Sequence, residues 1–288
     1  MFREILSIIY ESSARSFDDT CAMLEECINS DTAFVGTLRQ IGIIPESLQH
    51  DSTEEKLFSK ASDFVLSRAF RELGMKSAVI KARADSADVL AESQIHGYSL
   101  AADAKAFRLS RTAKNQKDFK VAALSEWRRD NDYAVLCAPY FQYPAKTSQI
   151  YSQALSNNVC LVSWEHLIFM IERDVKESPA LDLSEVWNFS SSFSHKVLVS
   201  DMKRNFLHDF NSFLVSLLNT NNDSFTEALR SQVSSILVRG REEKSFWLGR
   251  IEQIRSYSRE QAVDELIKSL GIREKITHID AYIKGLQS

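Results

Sequence analysis

The ten residues YSLAADAKAF (98–107) decide how the chain is read. In a strand, side chains two apart share a face, so Asp103 and Lys105 lie side by side. As a surface ion pair they would add only about 0–1 kcal/mol. Their flanks, Leu100, Ala101, Ala102, Ala104 and Ala106, are apolar, which points to a charged pair lining a cleft. Upstream, Asp88 directly precedes Val89-Leu90-Ala91, a second strand-like run, whereas Asp85 is expected in the approach loop. His96-Gly97 supplies a turn between the two runs. Asp88, Asp103 and Lys105 are therefore expected on one surface. Two carboxylates, with the Ala104 backbone carbonyl as a third protein ligand, can hold a hard divalent cation, and the lysine can help orient a water. That is the chemistry of metal-dependent phosphodiester hydrolysis.

Around this stretch the pattern alternates between strand and helix. Ser52 to Leu73 predicts a helix, with Ser52 and Glu55 at capping-box spacing and Gly74 as its stop. Capping is the simpler role for Glu55; the rival role is a further carboxylate projected toward the cation. Tyr133–Ala138 predicts a strand, 147–155 a helix and 159–162 a strand, which together make a parallel crossover. Trp164 to Arg173 predicts a further helix. The fold expected is α/β, a mixed sheet flanked by helices. Residues 1–50 read as a helical lead-in, 51–190 as the core and 191–288 as a helical extension. The serine-rich run Ser190–Ser194 is the expected linker. Eight Gly and four Pro in 288 residues fit long helices and few loops.

Just behind the strand, Lys105 to Arg129 holds eight basic residues against Asp118 and Glu126, in a chain of net charge −4. One basic segment on an acidic body suggests a localised anion-binding surface. Arg108, Arg111, Lys114, Lys117 and Lys120 are phosphate-seeking cations. Asn115 can read adenine, and Asp118 can accept from a cytosine amino group. Double-stranded DNA is the expected substrate. The six histidines show no metal-ligand spacing, and no glycine-rich phosphate loop or nucleophile elbow is present. No apolar run approaches a membrane span. The four cysteines, Cys21, Cys27, Cys137 and Cys160, read as free thiols, and a reducing cytoplasm is the expected compartment.

The layout Asp88, fourteen residues, Asp103-Ala104-Lys105 resembles the PD-(D/E)xK nucleases, with Ala87 where the first motif often has proline. STEEKLFSKASD (52–63), ADAKAFRLSRTAKNQKDFK (102–120), ALSEWRRDNDYAVL (123–136), FQYP (141–144) and SWEHL (163–167) further resemble the HindIII family of type II restriction endonucleases. The helical tail from Ser258 onward is also similar. This resemblance implies a restriction-endonuclease-like core and a homodimer that cuts the palindrome AAGCTT after the first A, leaving 5′ overhangs. It implies Mg²⁺ as cofactor, replaceable by Mn²⁺, and a cognate DNA methyltransferase that protects the host. By the same resemblance Asp88 and Asp103 ligate the metal, Lys105 positions or activates the attacking water, and Asn115, Lys117 and Asp118 make base or groove contacts. Lys81 stands where the family suggests an acidic residue, so no metal role is assigned there. The alternatives are a sequence-specific DNA-binding protein without cleavage, or a non-specific repair nuclease of the same fold.

Overall fold

The computed structural model describes residues 1–80, 86–111, 116–144, 148–194 and 199–286. The chain divides into two units, Met1–Gly240 and Arg241–Ser288.

In the first unit the helices α1 (Phe2–Tyr10), α2 (Phe17–Ser30) and α3 (Phe34–Ile41) precede α4 (Thr53–Glu72). The Ser52 side chain accepts the Glu55 N–H and so caps α4, and Gly74 leaves the helix at φ +89°. Such a cap contributes about 1 kcal/mol. α4 is buried along most of its length: Phe58, Val65, Leu66, Ala69 and Phe70 are fully buried, with Ser62, Asp63 and Ser67 buried among them. A helix of that kind must be covered on every side. α1, α2 and α3 pack on its outer flank, and the sheet covers its inner one.

The sheet has five strands in sequence order: β1 (Lys76–Val79), β2 (Val89–Glu92), β3 (Ser99–Ala104), β4 (Tyr133–Ala138) and β5 (Val159–Ser163). β1, β2 and β3 run antiparallel, and β3, β4 and β5 run parallel. The mixed sheet and the crossover from β4 to β5 are as the alternation predicts. β4 and β5 are buried almost throughout, as parallel strands covered on both faces must be. The covering is done by α6 (Val121–Trp127), α7 (Gln149–Asn157) and α8 (Trp164–Ile171), among others.

The basic stretch makes two short helices, Gln116–Phe119 and α6, separated by Lys120 in the left-handed region at φ +51°. One segment differs from expectation. The serine run is not an extended linker: Phe189–Ser194 is helical. Phe189 and Phe193 pack against Phe206 of the helix Val199–Leu217, and that aromatic cluster pins the serines to the core.

The second unit is helical. Its helix Arg259–Ser269 begins at a complete capping box made by Ser258 and Gln261. No helix among the described residues is long and apolar enough to cross a membrane. All four cysteines are free thiols.

Candidate active site

The β2–β3 hairpin explains why Asp88 and Asp103 lie far apart in sequence yet close in space. In its register Val89 faces Ala102, so the residue before β2 meets the end of β3. The Ile80 N–H bonds the Asp88 carbonyl at 2.8 Å and extends the β1–β2 ladder to this point. α4 crosses the same edge and adds Lys60 and Asp63, which lie one helical turn apart on one face. One carboxylate oxygen each from Asp63, Asp88 and Asp103 can be chosen so that all three lie within 4.8 Å of one another.

Two lysines balance this charge. Lys60 Nζ lies 3.3 Å from Asp63 and 3.5 Å from Asp88, and donates to the Ile80 carbonyl. Lys105 Nζ donates to Asp103. Three carboxylates against two ammonium groups leave an excess negative charge in a partly desolvated place. Burial, with Asp88 adding to it, holds the Asp63 carboxyl well above the usual range. Asp103 is also raised, first by burial, while Lys105 and, less, Lys120 oppose the shift. A cation in the cluster would relieve both groups.

The Lys105 backbone is held from two sides. Its N–H bonds the Cys137 carbonyl at 2.7 Å, and its carbonyl accepts the Trp164 indole N–H at 3.0 Å. Gly42 makes room for that indole, because a Cβ there would lie 2.8 Å from Trp164 Cδ1. Because Lys105 turns its N–H to β4, strand alternation turns the Ala104 carbonyl to the β2 side, toward Asp88.

Asp88, Asp103 and Lys105 thus meet as the spacing implied. Glu55 does not join them. Its Oε2 accepts the Asp51 N–H at 2.8 Å, and its Oε1 accepts from Arg108 at 2.6 Å. It makes neither the capping-box bond, whose donor would be the Ser52 N–H, nor a contact with the carboxylate cluster; it lies beside the start of α4. Arg108 is correspondingly turned inward: its other guanidinium nitrogen bonds the Pro45 carbonyl at 2.8 Å. With 13% side-chain exposure it works as a staple rather than as a free cation. Arg111 is paired with Asp118. Lys117 and Lys120 are exposed, and Lys120 lies over the Trp127 ring. Phe119 anchors the segment, stacked on Tyr143 and edge-on to Phe107. Lys81, Asp85, Lys114 and Asn115 lie outside the described residues.

Sequence reasoning missed Asp63 and Lys60. The available signal was an acidic residue in the apolar-rich stretch 61–70, since Asp63 is 5% exposed between the buried Ala61 and Val65.

Comparison with known proteins identifies the family. The family described as "HindIII restriction endonuclease" matches residues 6–283. The type II restriction enzyme HindIII of Haemophilus influenzae (strain ATCC 51907 / DSM 11121 / KW20 / Rd) is 47% identical over 251 residues, 87% of this chain and 84% of that protein. Among solved structures, that of restriction endonuclease FokI aligns with 60% of this chain and 32% of its own, at 12% identity and a TM-score of 0.37.

Proposed function

This chain belongs to the HindIII restriction endonuclease family and is a type II site-specific endonuclease; from that premise we propose that it cuts double-stranded DNA at AAGCTT, after the first A, as a Mg²⁺-dependent homodimer. The observation that carries the catalytic part is the meeting of Asp63, Asp88 and Asp103 around the end of β3, with Lys105 on Asp103. The near-continuous resemblance through residues 102–120 supports the recognition sequence.

An all-oxygen donor set with excess negative charge suits Mg²⁺, which takes oxygen ligands and keeps several waters. Asp63, Asp88, Asp103 and the Ala104 carbonyl would hold it, and Mn²⁺ fits the same donors. When bound, the ion neutralises charge on the scissile phosphate and lowers the pKa of a bound water. The protein's part is positioning. Lys105, fixed through its backbone and its bond to Asp103, holds positive charge beside the attacking water and steadies the hydroxide that forms. Burial disfavours the anionic forms of Asp63 and Asp103, and a bound cation would favour them. Lys60 lowers the negative charge of the free site and so weakens its repulsion of DNA before the cation binds.

Lys117, Lys120 and Arg111 are proposed as phosphate contacts, and Asn115 and Lys114 as groove contacts. Asp118 holds Arg111 in place. Arg108 acts through the loop that it staples. A palindrome suits a two-fold dimer, in which each subunit meets the same half-site. The second unit leaves Trp247, Leu248, Ile254, Leu266, Ile276 and Ile279 exposed. Exposed apolar residues in such number support a protein interface. The cytoplasm and a protecting methyltransferase follow from the restriction role.

Plasmid DNA incubated with the protein and Mg²⁺, with and without chelator, tests the reading. Discrete fragments whose mapped ends fall within AAGCTT are expected. A smear, or discrete ends at another sequence, rejects the assigned specificity.

A further inference from the structure

The closed end of the same hairpin carries a second cluster of donors. His96 sits in the β2–β3 turn, which Ser93 Oγ organises by accepting the His96 N–H at 2.9 Å and the Ile95 N–H at 3.3 Å. His96 Nε2 lies 3.0 Å from the Ser178 carbonyl and 3.3 Å from the Leu181 carbonyl. Carbonyls only accept, so Nε2 carries the hydrogen and the neutral ring presents its lone pair at Nδ1. The tight Ser178–Leu181 turn, closed by reciprocal backbone bonds, holds both carbonyls in place. Nδ1 faces Asp182 Oδ2 at 4.0 Å.

Glu177 completes the group. It is 6% exposed, and its Oε1 accepts from the Tyr98 hydroxyl and from the Leu183 N–H. Its Oε2 is buried and has no hydrogen-bond partner among the described residues. A buried carboxylate oxygen without a donor is costly and calls for an explanation. Among the described residues no lysine or arginine pairs with Glu177 or Asp182. A proton on Nδ1 does not settle the matter: at 4.0 Å it is beyond hydrogen-bond reach of Asp182, and Oε2 stays unpaired. One ligand atom each from His96, Glu177 and Asp182 lies within 4.8 Å of the others. This is a spacing that a small contraction around one ion would close.

We propose that His96 Nδ1, the free carboxylate oxygen of Glu177 and Asp182 form a second cation site, for Zn²⁺ or a like transition ion, which clamps the β2–β3 turn to the 177–183 loop. The donor set separates it from the catalytic cluster. One imidazole nitrogen with two carboxylates and a water makes a tetrahedral zinc shell, whereas Mg²⁺ favours oxygen alone. The carbonyls on Nε2 orient the ring, as outer partners of a metal-bound histidine do.

The test uses the full chain, stripped by chelator and then dialysed against micromolar Zn²⁺ in excess Mg²⁺, which keeps the catalytic carboxylates occupied. Wild type is expected to retain one more equivalent of zinc than H96Q or D182N. Zinc should raise the melting temperature of wild type and leave that of both variants unchanged. Both variants should cleave DNA at the wild-type rate. If H96Q does not fold by circular dichroism, D182N carries the comparison. Equal zinc retention by wild type and a folded variant, or no retention by wild type, overturns the site; the latter result would leave a water molecule on Glu177.

Discussion

The β2–β3 hairpin has a carboxylate cluster at each end, and the two are built on opposite principles. At the open end Asp63, Asp88 and Asp103 are bridged by Lys60 and Lys105, so most of their charge is countered before any ligand arrives. At the closed end Glu177 keeps one oxygen unpaired and Asp182 faces an imidazole across a gap. The first arrangement suits a site that must admit DNA and a labile cation. Among the described residues the second has no lysine or arginine counter-charge, and it suits a permanent occupant. Lysine as an internal counter-ion thus separates a working site from a structural one.

The largest effect expected on breaking this contrast comes from Lys105→Ala. Single-turnover cleavage should fall about 10²–10⁴-fold, the range for a group acting on the proton inventory of a reaction. DNA binding in a gel shift should hold. Weakened binding with an unchanged cleavage step would move Lys105 from the chemistry to the phosphate backbone.

Next comes the staple between the two ends of the nuclease segment. Arg108→Ala removes a half-buried charged pair and should cost about 1.5–3 kcal/mol in thermal or denaturant melts. Glu55→Gln should leave the Mg²⁺ dependence of cleavage unchanged. A higher Mg²⁺ requirement in that variant would return Glu55 to the metal site.

A smaller effect follows from the raised Asp63 carboxyl. An acid whose folded pKa is raised binds its proton more tightly when folded. Its stabilising contribution is therefore present at low pH and lost as pH rises through the folded value. Asp63→Asn should consequently stabilise the cation-free protein at neutral pH and flatten its loss of stability with rising pH. A gain of about 1 kcal/mol would lift Tm by about 2–4 °C. The same change should raise the Mg²⁺ concentration needed for cleavage. A lowered Tm would mean that the Lys60 pair outweighs the burial of Asp63. The smallest effect, about 1 kcal/mol, is expected for Ser52→Ala, which uncaps α4.

How much of this could be read from sequence follows from the range of the interactions. Asp88, Asp103 and Lys105 were legible because a hairpin brings together residues of one local segment, and period-two alternation fixes which side they share. Tyr133–Ala138 was legible as a strand because it is a short, continuous apolar run rich in β-formers. Asp63 and Lys60 were not, because nothing in α4 tells which part of the sheet its face will cross. Arg108 looked like a DNA contact because sequence shows its charge and not its partner, Glu55, from a distant helix. The serine run looked like a linker because its two phenylalanines have their partners on a later helix.

The central claim is that cutting resides at the open end of the hairpin, and Asp103→Asn tests it most directly. Wild type and variant are incubated with plasmid in Mg²⁺, with binding followed in parallel. The account predicts mapped ends at AAGCTT from wild type, and intact plasmid from a folded, DNA-binding variant. Cleavage by Asp103→Asn at the wild-type rate would contradict it.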